Sequence, residues 1–271
     1  LLRRLEVLPQ PEIAALVNLA VLAQAALIAV LVLAVPLLAP GLRRAAPSGG
    51  VAAAGEAPRE APGAEGPPDA GLARVMVFFP ALGLGFLFIE IYLIAMATRW
   101  LDDAASGFAL VLSGMLVASG AGALVSGRFA PRPGSARVVL AVAAVAIALW
   151  AAAALVWLQP LLFATLGLPW IVRAGLLIVV IAPVGVALGL PFPLGLAWLA
   201  GQGRRLPWAW ALNGAFSVLA TPLAALLARE AGYSRVLLVA VALYAVALLS
   251  FPRARRLQAW RDLPISSPDA A

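Results

Sequence analysis

The chain has 271 residues, of which 64% are hydrophobic and 11% are charged, and its mean hydropathy is +1.02. These values exclude an ordinary soluble domain and are typical of a protein that crosses a membrane several times. The absence of cysteine and histidine excludes disulfides, thiol chemistry, Cys/His zinc sites and histidine acid–base catalysis.

The net charge of +7 comes from arginine, because the chain contains no lysine. Most of the arginines lie in short segments between apolar runs, where the positive-inside rule places them, so we expect no nucleic-acid partner. The lipid bilayer is the expected environment. Because the chain starts with Leu1 rather than methionine, we expect it to be a piece of a longer protein.

Seven apolar runs approach the roughly 20 residues that a helix needs to cross a bilayer. They cover residues 13–38, 73–97, 106–126, 138–158, 171–200, 208–228 and 235–251. The intervening stretch 159–170 is too short to cross alone, and we interpret it as an interfacial or re-entrant piece, with an eighth crossing as the alternative. The predicted fold class is an all-α polytopic transmembrane helical bundle of about seven spans.

Composition also predicts the domain organisation. A first transmembrane helix (residues 1–39) precedes a flexible linker rich in proline, alanine and glycine (40–72), a six-helix membrane block (73–251) and a basic tail (252–271). Most arginines fall on the side of the linker and the tail. We therefore expect a multi-pass protein of a bacterial inner membrane, with a cytoplasmic C-terminus and an external N-terminus.

Glu90 lies within the second apolar run, where a carboxylate costs several kcal/mol unless it is protonated, paired or hydrated. Gly83 precedes it by two helical turns on the same face, which would let a neighbouring helix approach closely. The functional interpretation is a proton or cation site, or an anchor for a substrate amine. The alternative is a protonated glutamate that forms a hydrogen bond to another helix.

The third run carries small residues at four-residue spacing, a pattern by which transmembrane helices pack closely together. These predicted packing residues are Gly114, Ala118, Gly122 and Ser126. The glycines of residues 120–127 do not form a dinucleotide fingerprint, because Val125 occupies the third glycine position and no strand precedes it.

The fifth run is interrupted by prolines and glycines, among them Pro191 and Pro193. Broken helices often line binding cavities, and a simple kink is the alternative. The sixth run places Asn213, Ser217 and Thr221 on one helical face. We expect this polar stripe, the broken helix and Glu90 to converge on one pocket for a cation, an amine or a lipid-like substrate. The sequence shows no catalytic triad, phosphate loop or metal-ligand cluster.

Three passages together resemble the membrane portion of large bacterial spermidine synthase-like membrane proteins. They are LGLGFLFIEI at 82–91, GLPFPLG at 189–195 and WAWALNGAFSV at 208–218, and SGMLVASGAG at 113–122 fits the small-residue helix of that family. The resemblance implies a nucleotide-binding domain before Leu1, which would use S-adenosylmethionine or its decarboxylated form. This chain contains no such domain, so we expect it to hold no cofactor and to lack aminopropyl- or methyltransferase activity alone.

An external N-terminus conflicts with a cytoplasmic domain before Leu1, so either the number of spans or the position of that domain is different. A second hypothesis makes the chain a secondary transporter or half-transporter, with Glu90 as the proton-coupling carboxylate. A third makes it a membrane anchor that assembles through its small-residue helix.

Overall fold

A computed structural model of the protein describes residues 16–27, 30, 70–129, 133–199 and 206–251. Its described elements are all helical. They are α1 (Leu16–Leu27), α2 (Ala70–Leu101), α3 (Ala104–Ser126), α4 (Pro133–Ala153), a π-helical turn (Ala154–Leu158), α5 (Gln159–Thr165), α6 (Trp170–Gly189), α7 (Pro191–Leu199), α8 (Leu206–Ala231) and α9 (Tyr233–Ser250).

Within the described residues, six helical segments are long and apolar enough to cross a membrane. They are Ala73–Leu101, Ala104–Ser126, Ser135–Thr165, Trp170–Leu199, Leu206–Ala231 and Tyr233–Ser250. The prediction of an all-α polytopic bundle is therefore confirmed.

Three predicted segments lie wholly or partly outside the described residues. The first span (13–38) is described only at 16–27 and 30, and the linker (40–72) only from residue 70, where α2 begins. The tail (252–271) lies outside them entirely.

The fourth span is longer than expected. α4 runs through the π-helical turn directly into α5 and ends at Thr165, so the expected interfacial piece is continuous helix at residues 159–165. Pro160 has no N–H that could form a hydrogen bond to the preceding turn. The wider π-helical turn just before it accommodates the proline, so the helix continues through this point. The expectation of a separate interfacial or re-entrant segment is wrong for these residues.

Contacts at the helix ends show how the chain alternates across the bundle. At the end where α2 finishes, the indole of Trp100 donates to Thr165 Oγ1 at 2.8 Å, and Arg173 donates to the Trp100 carbonyl oxygen at 2.5 Å. At the opposite end, Arg137 donates to the carbonyl oxygen of Phe251 at 2.6 Å. We call these the Leu101 end and the Ser126 end.

Helix α2 is the central helix of the bundle. It packs against α3, α8 and α9 along its length, and 67% of its apolar window is buried, against 39% or less for the other five spans. The outer helices expose apolar side chains, for example Val117 and Leu124 of α3. Such outward apolar faces suit contact with lipid rather than water.

Candidate functional site

A groove opens on one side of the bundle between α3 and α8. Both helices pack against α2 but make no extensive contact with each other, so part of α2 is left uncovered between them. The groove has a volume of about 410 Å³, within the range of small-molecule sites. Its floor is formed by α2 and its walls by α3, α8 and the junction of α6 with α7, and Tyr244 of α9 also lines it.

Most of the groove lining is apolar. Leu82, Phe86 and Leu87 of α2 form the floor, and Leu116 of α3 and Phe192 of α7 stand at its sides. Leu116 is 71% exposed, so on this side the groove opens onto the outer apolar surface of the bundle. An occupant would therefore bury an apolar portion here and reach the groove sideways from the bilayer.

A pair of polar residues on α8, Asn213 and Ser217, lines the same groove. The side-chain amide of Asn213 donates to the backbone carbonyl of Phe79 at 3.3 Å, and the Ser217 hydroxyl donates to the backbone carbonyl of Asn213 at 2.9 Å. The predicted polar stripe therefore meets a backbone carbonyl of the glutamate helix rather than the carboxyl of Glu90.

Close approach of α2 and α8 depends on Gly83. A Cβ atom at this position would lie 2.5 Å from the carbonyl oxygen of Asn213 and 3.0 Å from Ser217 Oγ. The first distance is shorter than real Cβ contacts, and the second is tighter than nearly all of them, so glycine is the residue that fits this geometry. The glycine thus holds the polar pair of α8 against the groove floor.

The break in the fifth span lies at Leu190, between α6 and α7, and borders the groove. Pro191 is buried and is the first residue of α7. An N–H at this position would have no partner within the helix, so proline loses no hydrogen bond of α7 there. Because Pro191 has no N–H, it cannot donate a hydrogen bond to the carbonyl of Ala187. That carbonyl instead accepts a hydrogen bond from the N–H of Leu190 at 3.4 Å. Pro193, one turn further, lines the groove directly.

Glu90 does not line this groove. It is buried, with 6% of its surface exposed, and it lies one helical turn beyond Phe86 and Leu87 toward the Leu101 end. None of the described residues forms a hydrogen bond or an ion pair with its carboxyl group. The structure therefore brings together Asn213, Ser217 and the broken helix, but leaves Glu90 outside that group.

Thr221 faces a different part of the molecule. It lines a second groove, between α8 and α1, together with Asn18 and Val21 of α1. Ser217 borders both grooves and is the predicted site residue that they share. The three polar residues of α8 thus divide between two surfaces, although they share one helical face.

The small residues of α3 pack against α6. A Cβ at Gly122 would overlap the carbonyl oxygen of Val186, and one at Gly185 would lie 2.5 Å from the Cβ of Ala118. At Gly114 the added atom would meet side-chain atoms alone, the end of Ile178 at 3.2 Å and Ile181 at 3.4 Å.

The remaining packing residue, Ser126, is fully buried, and its hydroxyl donates to the carbonyl of Ala123 at 2.6 Å. The contact of α3 with α6 forms the back wall of the groove.

Sequence reasoning missed two packing residues at this wall. Gly185 and Gly189 of α6 were interpreted as helix breakers, yet Gly189 packs so closely that a Cβ there would overlap the carbonyl oxygen of Ser119. Ser119 also lines the groove. Their four-residue spacing on α6, the same as the pattern on α3, is the signal that could have identified the glycines as packing residues.

Polar residues at the Leu101 end serve the fold rather than the groove. Asp103 is the N-cap of α3, and hydrogen bonds from the Ser106 hydroxyl and from the N–H groups of Ser106 and Ala105 hold the pKa of its carboxyl below the usual range. Arg99 lies over the ring of Tyr233, 5.6 Å from its centroid.

No group of three or more potential metal ligands occurs among the described residues. Comparisons with protein-family models, with curated proteins and with solved structures found no match to this chain.

Proposed function

We propose that this chain is the membrane domain of a spermidine synthase-like integral membrane protein, and that it binds a lipid-like substrate in the groove between α3 and α8. The observation that carries the proposal is the groove itself: an apolar cavity of about 410 Å³, open sideways, with the polar pair Asn213 and Ser217 on one wall. Its form suits a molecule with both an apolar and a polar part.

The depth of the groove supports a substrate drawn from the bilayer. Leu87 lies at the middle of the span Ala73–Leu101, and Gly83 lies one turn before it, toward the Ser126 end. The groove therefore lies in the half of the membrane on the side of the Ser126 end. By the arginine distribution of the sequence, that half is the cytoplasmic leaflet.

The resemblance supplies the rest of the proposal. A domain preceding Leu1 would hold S-adenosylmethionine or its decarboxylated form, and the membrane block would present the substrate to it. In this arrangement the present chain supplies binding and no chemistry. An assay of the chain with decarboxylated S-adenosylmethionine and putrescine should give no aminopropyl transfer, and turnover would contradict this division of labour.

The binding proposal is tested by the lipids that copurify with the protein. Gly120 borders the groove and has open space around it, so tryptophan at this position should fill the groove without disturbing helix packing. Gly175→Trp is the matched control, because Gly175 also has open space but does not border the groove. We expect mass spectrometry to find a bound lipid in the wild type and in Gly175→Trp but not in Gly120→Trp. Equal lipid content in all three would contradict the proposal.

A second candidate function, proton-coupled transport, is favoured by one observation. Glu90 is a buried carboxyl within a membrane span, and none of the described residues pairs with it. Such a group is a typical proton carrier. In liposomes that contain the protein, uptake of labelled putrescine should then depend on pH and should be lost in Glu90→Gln. Unchanged uptake in the variant would exclude coupling through this residue.

A further inference from the structure

We propose that the groove selects an uncharged amphiphile, a single-chain lipid whose polar end is a neutral hydrogen-bonding group such as a hydroxyl, and that it excludes amines and carboxylates. This inference rests on the proposed function, and it specifies the chemistry of the substrate. It excludes the amine that the sequence suggests as a possible ligand.

The lining of the groove offers no partner for a charge. Its polar members are Asn213 and Ser217 on α8, Ser119 on α3 and Tyr244 on α9, and none of them carries a formal charge. No Asp, Glu or Arg side chain of the described residues lines it. Glu90 lies a turn away. A charged ligand group would therefore lose its hydration without gaining a counter-ion, which costs several kcal/mol within a membrane.

The polar pair can still satisfy a neutral group. The amide of Asn213 uses one N–H in its bond to Phe79 and keeps its second N–H and its side-chain oxygen. The hydroxyl of Ser217 donates to the backbone and keeps its acceptor lone pairs. Together they present both donors and acceptors, which a ligand hydroxyl, able to donate and to accept, would match.

The position of the pair strengthens the selection against charge. Asn213 lies about five residues from the middle of the span Leu206–Ala231, which corresponds to about 8 Å from the membrane midplane. The hydrocarbon core extends about 15 Å on each side of that plane. A charged headgroup remains at the surface, whereas the end of a neutral lipid can descend to this depth.

Aromatic residues stand between the groove and the Ser126 end. Phe192, which lines the groove, packs edge-to-face against Phe79 at 5.7 Å and against Trp210 at 4.8 Å. This cluster separates the polar pair from the nearer membrane surface. The path that remains is lateral, through the hydrocarbon region between α3 and α8, and it favours a molecule that is soluble in the bilayer.

The test uses four photoreactive probes of equal chain length in lipid nanodiscs at pH 7: an alcohol, a primary amine, a carboxylic acid and a hydrocarbon without a polar end. Mass spectrometry of the labelled peptides measures labelling of the groove. In the wild type we expect the alcohol to label it at least about tenfold more than the amine or the acid.

Substitution of the polar pair separates hydrogen bonding from apolar binding. Asn213→Leu should reduce labelling by the alcohol to the level of the hydrocarbon probe and leave that probe unchanged. Ser217→Ala is a smaller change that should also lower alcohol labelling. It replaces Asn213→Leu as the test if that variant does not fold. Gly214→Ala is the control, because the neighbouring Gly214 has open space around it and does not line the groove.

The outcomes distinguish this inference from the function on which it rests. Labelling by the amine or the acid that equals labelling by the alcohol would overturn the selection of neutral molecules and leave lipid binding intact. Alcohol labelling that survives both substitutions unchanged would overturn the role of the polar pair. Failure of all four probes to label the groove would contradict the proposed function itself.

Discussion

Gly83 of α2 lies directly against the backbone of Asn213 of α8, so close that a Cβ atom on Gly83 would be 2.5 Å from the Asn213 carbonyl oxygen. This contact brings the polar pair of α8 to the floor of the groove. A backbone oxygen cannot move aside as the end of a side chain can, so any larger residue at position 83 must push the two helices apart.

We therefore expect Gly83→Ala to lower the free energy of unfolding by about 1–3 kcal/mol, the usual cost of overpacking. Denaturant titration of the detergent-solubilised protein measures this change. Gly175→Ala is the control: it adds the same methyl group where no atom lies within 4 Å, and its stability should stay equal or rise by up to about 1 kcal/mol. Equal effects of the two substitutions would show that the close approach at Gly83 is not needed.

The two small residues Gly114 and Gly122 of α3 should respond differently to the same change. Gly122→Ala forces a methyl group onto the carbonyl oxygen of Val186 and should cost about 1–3 kcal/mol. Gly114→Ala meets only side-chain atoms, the end of Ile178 at 3.2 Å and Ile181 at 3.4 Å, and should cost less than about 1 kcal/mol. The same titration compares them, and a larger loss at Gly114 would contradict the packing of α3 on α6.

Glu90 should be a cost to stability rather than a support. A buried carboxyl that lacks a hydrogen-bond partner is unfavourable by about 1–3 kcal/mol. We expect Glu90→Leu to raise the free energy of unfolding by that amount and Glu90→Gln to leave it nearly unchanged, since glutamine is also polar and of equal size. If Glu90→Leu instead destabilises the protein, the carboxyl must have a favourable partner that the described residues do not supply.

The N-cap of α3 should make part of the stability depend on pH. The hydrogen bonds from Ser106 and Ala105 lower the folded-state pKa of Asp103 below its usual value of 3.8, so the stabilisation is present above that pH and is lost as the pH falls through the lower folded-state pKa. Thermal unfolding between pH 7 and pH 2.5 measures this loss. In Asp103→Asn, which keeps a capping side chain without a titrating group, the loss should be smaller. Identical pH profiles would assign the acid sensitivity to other residues.

The hydrogen bond from the Trp150 indole to the carbonyl of Val180, 3.0 Å long, ties α4 to α6. Trp150→Phe removes this bond and keeps most of the ring, and we expect a loss of about 0.6–1.7 kcal/mol in unfolding free energy. Trp157→Phe is the matched control, because Trp157 is 68% exposed on the outer face and should lose little. A larger loss at Trp157 would indicate that its outer face is covered by a partner.

Much of the fold could be predicted from the sequence, and the candidate site only in part. The helix containing Glu90 was expected at 73–97 and extends over Ala70–Leu101, so it also includes Thr98 and Arg99, which lie beyond the apolar run. Asn213 and Ser217 were expected to share a face, and they do. The partner of that face was not predictable, because several helices offered a polar group or a free carbonyl within reach.

The position of each span follows from local chemistry. Lipid offers no hydrogen bonds, so a run of about 20 apolar residues has to form a helix that satisfies its own backbone. This rule needs no knowledge of neighbouring helices, and for that reason apolar runs alone were enough to locate the six spans found among the described residues.

Which helical faces meet is a different matter, because lipid and protein interior are similarly apolar and the pattern of hydrophobic residues does not distinguish them. Gly120 and Gly122 are two residues apart in the same small-residue helix, yet Gly122 presses on Val186 while Gly120 faces open space beside the groove. Only the packing of α3 against α6 makes that difference, and only the arrangement of α3 and α8 around α2 opens the groove and leaves Glu90 outside it.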